Sequence, residues 1–244
     1  MSFSSFLYRR LSRWITCEFE LDGANQSKIA LKNKYEVASF KDVFCHPFYW
    51  QVFQWVKTPP KLVVDCGAHC GHFSLLADLC FASKFSSSDT RYLLIEPNPY
   101  LIPVIRRNLR NSKLDERAFL SQGLLGANSG SGTLWINSKN FLATGTSEQS
   151  GTKAHTVDYI NLSNLVGDEQ DIDLMKIDIE GGEYEFISSQ LNLFKRTHLI
   201  FMELHEASAQ QQSILIKQME SVGLDIAAEP VESHGQKLII FQRT

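Results

Sequence analysis

A short apolar strand ending in an acid, a glycine turn, a helix-length stretch and a second apolar strand ending in another acid occupy residues 62–98. The first part reads Leu62-Val-Val-Asp65-Cys-Gly67-Ala68-His69-Cys-Gly71, and the second Tyr92-Leu-Leu-Ile-Glu96-Pro97-Asn98. That order builds the first half of a nucleotide-binding α/β sheet. Dinucleotide sites use Gly-x-Gly-x-x-Gly to bring main chain up to a pyrophosphate. Here the spacing is Asp65-x-Gly67-x-x-x-Gly71, which suits a ligand without phosphates.

S-adenosylmethionine leads the ligands of that kind, and the rest of the chain narrows the setting. At 244 residues it fits one α/β domain with a sizeable core. A formal charge of −3 leaves no basic footprint, which argues against nucleic acid as a partner. No apolar run reaches the roughly 18 residues of a spanning helix, and the N-terminus lacks the apolar core of a secretory signal. Five cysteines, an odd and scattered set, read as reduced thiols of a cytoplasmic enzyme. Cys66, His69, Cys70 and His72 crowd together without a second ligand pair at zinc spacing, so no metal is assigned to them.

Residues 1–60 read as an accessory segment packed on a domain of residues 61–244. On a helix, Phe3, Leu7, Leu11, Trp14 and Ile15 share a face opposite Arg9 and Arg13. Such a basic amphipathic helix can touch a membrane surface through residues 3–15, but it more often docks on its own domain. Alternation over residues 29–40 suggests strands. The run Phe44, Phe48, Tyr49, Trp50, Phe53 and Trp55 suggests a helix on the core, with pocket lining as the alternative.

From Lys61 onward strands and helices alternate. Strands are expected at 62–66, 91–96 and 118–122, with helices at 71–82 and 99–110. Residues 123–157 break the rhythm around a strand at 133–136, as a substrate loop, a lid or a hairpin extension would. A strand at 172–177, a helix at 182–191, a strand at 198–204 and a helix at 207–222 follow. Two closing strands near 224–228 and 237–242 would insert one antiparallel edge strand, as methyltransferase sheets do. The alternation predicts a parallel sheet with right-handed crossovers.

In such sheets ligands sit beyond the carboxyl ends of the strands. Those ends carry Asp65 to Gly71, Glu96 to Asn98, Gln122 and Gly123, Asp178 to Gly181, and Glu203 to His205. The expected cofactor wall is therefore Asp65, Gly67, Ala68, His69, Gly71, Glu96, Pro97, Asn98, Gln122 and Gly123. Glu96 would accept hydrogen bonds from ribose hydroxyls, and the glycines would let backbone approach. Asp65 suits the ammonium of a methionine moiety, directly or through water, or braces the loop as a capping carboxylate.

Four stretches in order resemble the FkbM family of S-adenosylmethionine-dependent methyltransferases. They are Val63 to Gly71, Leu94-Ile-Glu-Pro-Asn-Pro99, Met175-Lys-Ile-Asp-Ile-Glu-Gly-Gly-Glu183 and Phe201-Met-Glu-Leu-His205, with Thr156-Val-Asp158 as a shorter likeness. The likeness covers about residues 40–205 and departs at His69, where the family more often has Asn. It implies a Rossmann-like, seven-stranded, mostly parallel sheet with one antiparallel strand, and methyl transfer, usually to a hydroxyl oxygen. Carried over by position, Asp65, Gly67, Gly71 and Glu96 become cofactor residues, while Asp178 and Glu180 line the reaction side.

Alignment of an oxygen nucleophile with the activated methyl is most of what such chemistry needs, together with a base for its proton. His205 is the first candidate base and Asp178 the second. Alternatively, Asp178, Glu203 and His205 could orient the acceptor through a divalent ion. Glu180 and Glu183 could simply favour the start of the helix after Asp178. The expected acceptor is a hydroxyl on a sugar, glycan or secondary metabolite. The rivals are a nicotinamide-dependent oxidoreductase and a non-catalytic module that keeps the fold.

Overall fold

A computed structural model describes residues 17–21, 27–85, 89–137, 144–145, 152–168, 170–205, 208–233 and 235–244. The expected helix at residues 3–15 lies outside them. Strand β3 (Leu62–Cys66) is buried along its whole length, because a parallel strand in mid-sheet is covered on both faces. It pairs in parallel with β4 (Arg91–Ile95) on one side and β9 (Leu174–Ile177) on the other. Beyond β4 lies β5 (Ala118–Ser121), and beyond β9 lies β10 (Leu199–Leu204), both parallel to their neighbours.

The sheet then turns antiparallel. Strand β13 (Gln236–Arg243) runs between β10 and β11 (Leu224–Ile226), opposed to both. The order β11-β13-β10-β9-β3-β4-β5 is the expected seven-stranded, mostly parallel sheet with one reversed strand. That reversed strand lies one place in from the edge, and a three-residue strand β12 (Val231–Ser233) pairs with it. Strand order switches direction between β3 and β9, so their carboxyl ends open a crevice.

Helices cover both faces. Helix α3 (His72–Phe85) and helix α4 (Ile102–Asn111) lie in sequence between β3 and β5. Phe73, Leu76 and Phe81 from the former and Ile105 and Leu109 from the latter join one core cluster. Pro103 sits in the first turn of α4, where its missing N–H costs nothing; the expected start at Pro99 is three residues too early. On the other face Phe186 and Ile187 of α6 (Glu183–Ser189) and Leu215 and Met219 of α8 (Ala209–Ser221) pack on Met175, Ile200 and Phe241. Among the described residues, no helix is long and apolar enough to cross a membrane.

Residues 29–40 correct the strand expectation. Only β2 (Ser27–Leu31), paired with β1 (Cys17–Leu21), is extended; α1 (Lys34–Phe44) follows at once. The reason is a helix N-cap at Asn33, which alternation hides. Asn33 Oδ1 accepts from the backbone N–H groups of Tyr35 and Glu36, while Glu36 accepts from Lys32 N–H and from the Asn33 amide. Arg107 then locks Glu36 with an ion pair of 2.7 Å.

The aromatic run folds into α2 (Pro47–Gln51) and a short 3₁₀ turn (Val52–Gln54). Phe48, Tyr49 and Phe53 are buried, whereas Trp50 is exposed. Within residues 123–157, β6 (Ser131–Asn137) pairs with β8 (Thr152–Asp158) and with β7 (Thr144–Gly145), a hairpin extension beside the main sheet.

Candidate active site

A cavity of about 470 Å³ opens at the switch point. The turn after β3, the strand ends of β4 and β9, helices α1 and α2, and the hairpin extension all contribute to its wall. Gly67 stands at the centre of this convergence with φ +75°, a conformation that L side chains rarely adopt. A Cβ there would lie 1.7 Å from the Asp178 carbonyl oxygen, so the two strand ends meet only because residue 67 has no side chain.

Ala68, His69, Glu96, Pro97 and Gly123 line one half of the cavity with Gly67. Glu96 is fixed by two backbone donors: His69 N–H to Oε2 at 2.7 Å and Asn98 N–H to Oε1 at 2.9 Å. Each carboxylate oxygen keeps a further lone pair for a ligand hydroxyl. Burial pushes its pKa up to about 7, against the pull of those two hydrogen bonds. His69 holds φ +51°, a left-handed conformation in which Asn and His are enriched, which is a physical reason for either residue at this position. Its Nδ1 lies 2.9 Å from Ser39 Oγ on α1.

Four expected cofactor residues stand behind this wall or beside it. Asp65 is wholly buried, accepts from Ser74 Oγ at 2.7 Å and lies 3.7 Å from Lys176 Nζ. Burial raises its pKa, and its Oδ1 has no hydrogen-bond partner. Gly71 abuts Ile105 and Leu94 in the core, with φ +78°. Asn98 is buried and accepts from Tyr100 N–H. Gln122 is exposed, its amide 3.5 Å from the Pro97 carbonyl.

Lys176 is a site residue beyond the expected set. A lysine inside the apolar strand Leu174–Ile177, two residues before a strand-end acid, is the signal available. Its ammonium donates to the Gly67 carbonyl at 2.7 Å and pairs with Asp178 at 3.0 Å. Burial opposes its charge, but Asp178 and Asp65 outweigh that and hold its pKa above the ordinary lysine value.

The other half of the cavity carries Asp178, Glu180 and Glu203 from the main sheet side, and Asp42, His46 and Tyr49 from helices α1 and α2. Tyr49 is the pocket-lining aromatic of the run, and it is packed in the core as well. Its hydroxyl donates to Glu203 Oε1. Burial, and next the Asp178 charge, push the Glu203 pKa up to about 7, although Lys176 and the Tyr49 hydrogen bond pull it down. Glu180 sits at φ +57°, a strained position for a non-glycine residue and one that recurs at functional sites.

His205, the first candidate base, stands behind these acids. Its Nδ1–H donates to Glu183 Oε1 at 2.9 Å, and its Nε2 lies 2.7 Å from the Gln236 amide, 3.6 Å from Glu180 and 3.8 Å from Asp178. Burial works against its charge, yet Glu183, Asp178 and Glu180 together raise its pKa to about 9. With Nδ1–H bound to Glu183 and Nε2 bound to the Gln236 amide, neither ring nitrogen keeps a free lone pair. Asp178, Glu203 and His205 offer atoms within 4.8 Å of one another. Asp178 is already paired with Lys176 at 3.0 Å and Glu203 is hydrogen-bonded by Tyr49, so we do not read the trio as a metal centre.

A family model described as the methyltransferase FkbM domain matches residues 65–234. No curated protein matches the sequence. Among solved structures, the precorrin-6y C5,15-methyltransferase of Geobacter metallireducens GS-15 is 14% identical with a TM-score of 0.47, over 80% of this chain and 87% of that one. M. capricolum TrmK, in complex with its natural cofactor product S-adenosyl-homocysteine, is 11% identical with a TM-score of 0.47, over 80% of this chain and 66% of that one.

Proposed function

Because the chain belongs to the FkbM family of S-adenosylmethionine-dependent methyltransferases, we propose that it moves the methyl group to a hydroxyl oxygen of a small-molecule or glycan acceptor. The observation that carries this reading is the division of one cavity. Glu96 faces one half with two oxygens fixed by backbone donors, and four further acids, Asp42, Asp178, Glu180 and Glu203, face the other.

The residues fit the cofactor. Glu96 would take its ribose hydroxyls, Pro97, Ile95 and Leu124 supply apolar wall, and Gly67 brings main chain close without a Cβ in the way. When bound, it supplies a methyl already activated on sulfur. Asp65 lies too deep to meet a ligand ammonium directly, so its part is to fix Lys176 and the turn. The acidic half suits an uncharged or cationic acceptor better than a phosphorylated one, because like charges in a confined site repel. Nucleic acid is not among the acceptors we propose. Residues 1–60 supply part of the acceptor wall through Asp42, His46 and Tyr49.

A screen with methyl-labelled cofactor against cell extract and candidate polyols tests this. Label in a methyl ether, with equivalent S-adenosylhomocysteine, is the expected result. Label only on nitrogen or carbon would overturn the oxygen assignment, and no S-adenosylhomocysteine from any acceptor would favour a non-catalytic module.

A further inference from the structure

Resting on that O-methyl reading, we propose that Glu203, and not His205, takes the proton of the acceptor hydroxyl, with Tyr49 fixing the Glu203 carboxylate. Three observations carry it. Glu203 lines the cavity, whereas His205 does not. The Tyr49 hydroxyl occupies Oε1, which leaves Oε2 as the acceptor atom. Asp178, the other candidate, is bound to the Lys176 ammonium at 3.0 Å.

Charge supports the assignment. A base works best when its pKa is near the working pH, and burial brings Glu203 to about 7. The groups that face it are Tyr49 from α2, Lys176 from β9, Asp178 just past the end of β9, and His205 just past the end of β10. His46 lies beyond Tyr49, its ring 6.2 Å from that of Tyr49. His205 has its Nδ1–H committed to Glu183 and its Nε2 to the Gln236 amide, so it offers no open lone pair; it acts as a positioning residue for Glu180 and Asp178.

The step balances. The acceptor O–H proton passes to Glu203 Oε2 as the oxygen forms its bond to the methyl carbon. The C–S bond breaks with its electron pair remaining on sulfur. The products are a methyl ether, a neutral thioether and a protonated Glu203, which returns its proton to solvent.

The test compares wild type with Glu203→Gln, Tyr49→Phe and His205→Gln. Glu203→Gln should lower kcat by about 100-fold or more, with S-adenosylmethionine affinity within about threefold of wild type by calorimetry. Wild-type kcat/KM should fall on acidification with a midpoint near 7. Tyr49→Phe should move that midpoint upward, because the lost hydrogen bond had favoured the carboxylate, and His205→Gln should keep the acid limb. Infrared difference titration of ligand-free protein gives a readout without turnover: a carboxyl C=O band lost near pH 7 in wild type and missing from Glu203→Gln, which separates it from Glu96. Retained turnover in Glu203→Gln, no such band, or an acid limb that disappears only in His205→Gln would overturn the assignment. Failure of wild type to bind S-adenosylmethionine or form its product would sink the O-methyl reading instead, and the infrared result would still stand or fall separately.

Discussion

Gly67 and Asp178 are pressed together at the carboxyl ends of two adjacent parallel strands, so closely that a Cβ on residue 67 would fall 1.7 Å from the Asp178 carbonyl oxygen. The same contact is where strand order switches and where Lys176 reaches the Gly67 carbonyl, and all three residues line the cavity. One missing methyl group thereby links the first strand of the sheet to the acids of the reaction side.

Gly67→Ala should accordingly cost about 2–4 kcal/mol of stability, from steric clash and a disfavoured φ together. A urea midpoint and a cofactor titration check it. Unchanged stability with unchanged binding would mean the strand ends are not packed as described.

Lys176→Met should be more damaging than an ordinary core change. Removing the ammonium leaves Asp65 and Asp178 without their shared buried partner, a loss of about 3–5 kcal/mol. Thermal unfolding measures it, and adding Asp65→Asn to the same chain should recover part of the loss. No recovery would show that the lysine is held by something other than its charge.

Glu96 gives cofactor binding a pH dependence. Its carboxylate form accepts ligand hydroxyls, and burial raises its pKa to about 7. S-adenosylmethionine affinity should therefore decline below pH 7, by up to about tenfold per pH unit. Calorimetry from pH 5 to 8 reads this, with Glu96→Gln as a flat control. A flat wild-type profile would contradict the raised value.

His205 gives stability a dependence of its own. Its folded pKa is about 9, above the ordinary 6.5. The stabilisation is complete below the unfolded value and is lost as pH rises through the folded one. Wild type should exceed His205→Gln by on the order of 2 kcal/mol near pH 6, with the gap closing toward pH 10. A gap that widens with pH would mean that the imidazole is neutral in the fold.

Much of this molecule was legible in residues. Continuous apolar runs such as Leu62–Cys66 identified the strands buried on both faces, and the acids after them located the crevice. The strand expected at 29–40 failed because an N-cap needs only Asn33, with Glu36 reaching back to its amide, a local signal that alternation hides. His205 was chosen for its ordinary pKa, which three neighbouring acids change; that sum cannot be formed before the chain is folded. Tyr49 and Glu203, 154 residues apart, become partners only through tertiary packing. The position of the reversed strand, inside the sheet and not at its edge, likewise depended on pairing between β10, β11 and β13.

Isothermal titration of S-adenosylmethionine onto wild type and Glu96→Ala tests the central claim most directly. Saturable one-site binding to wild type is the expected result, with affinity reduced at least about tenfold in the variant, the worth of one good charge-assisted hydrogen bond. Absence of heat and of competition by S-adenosylhomocysteine with the folded wild-type protein would contradict the account, as would equal affinity in the two proteins.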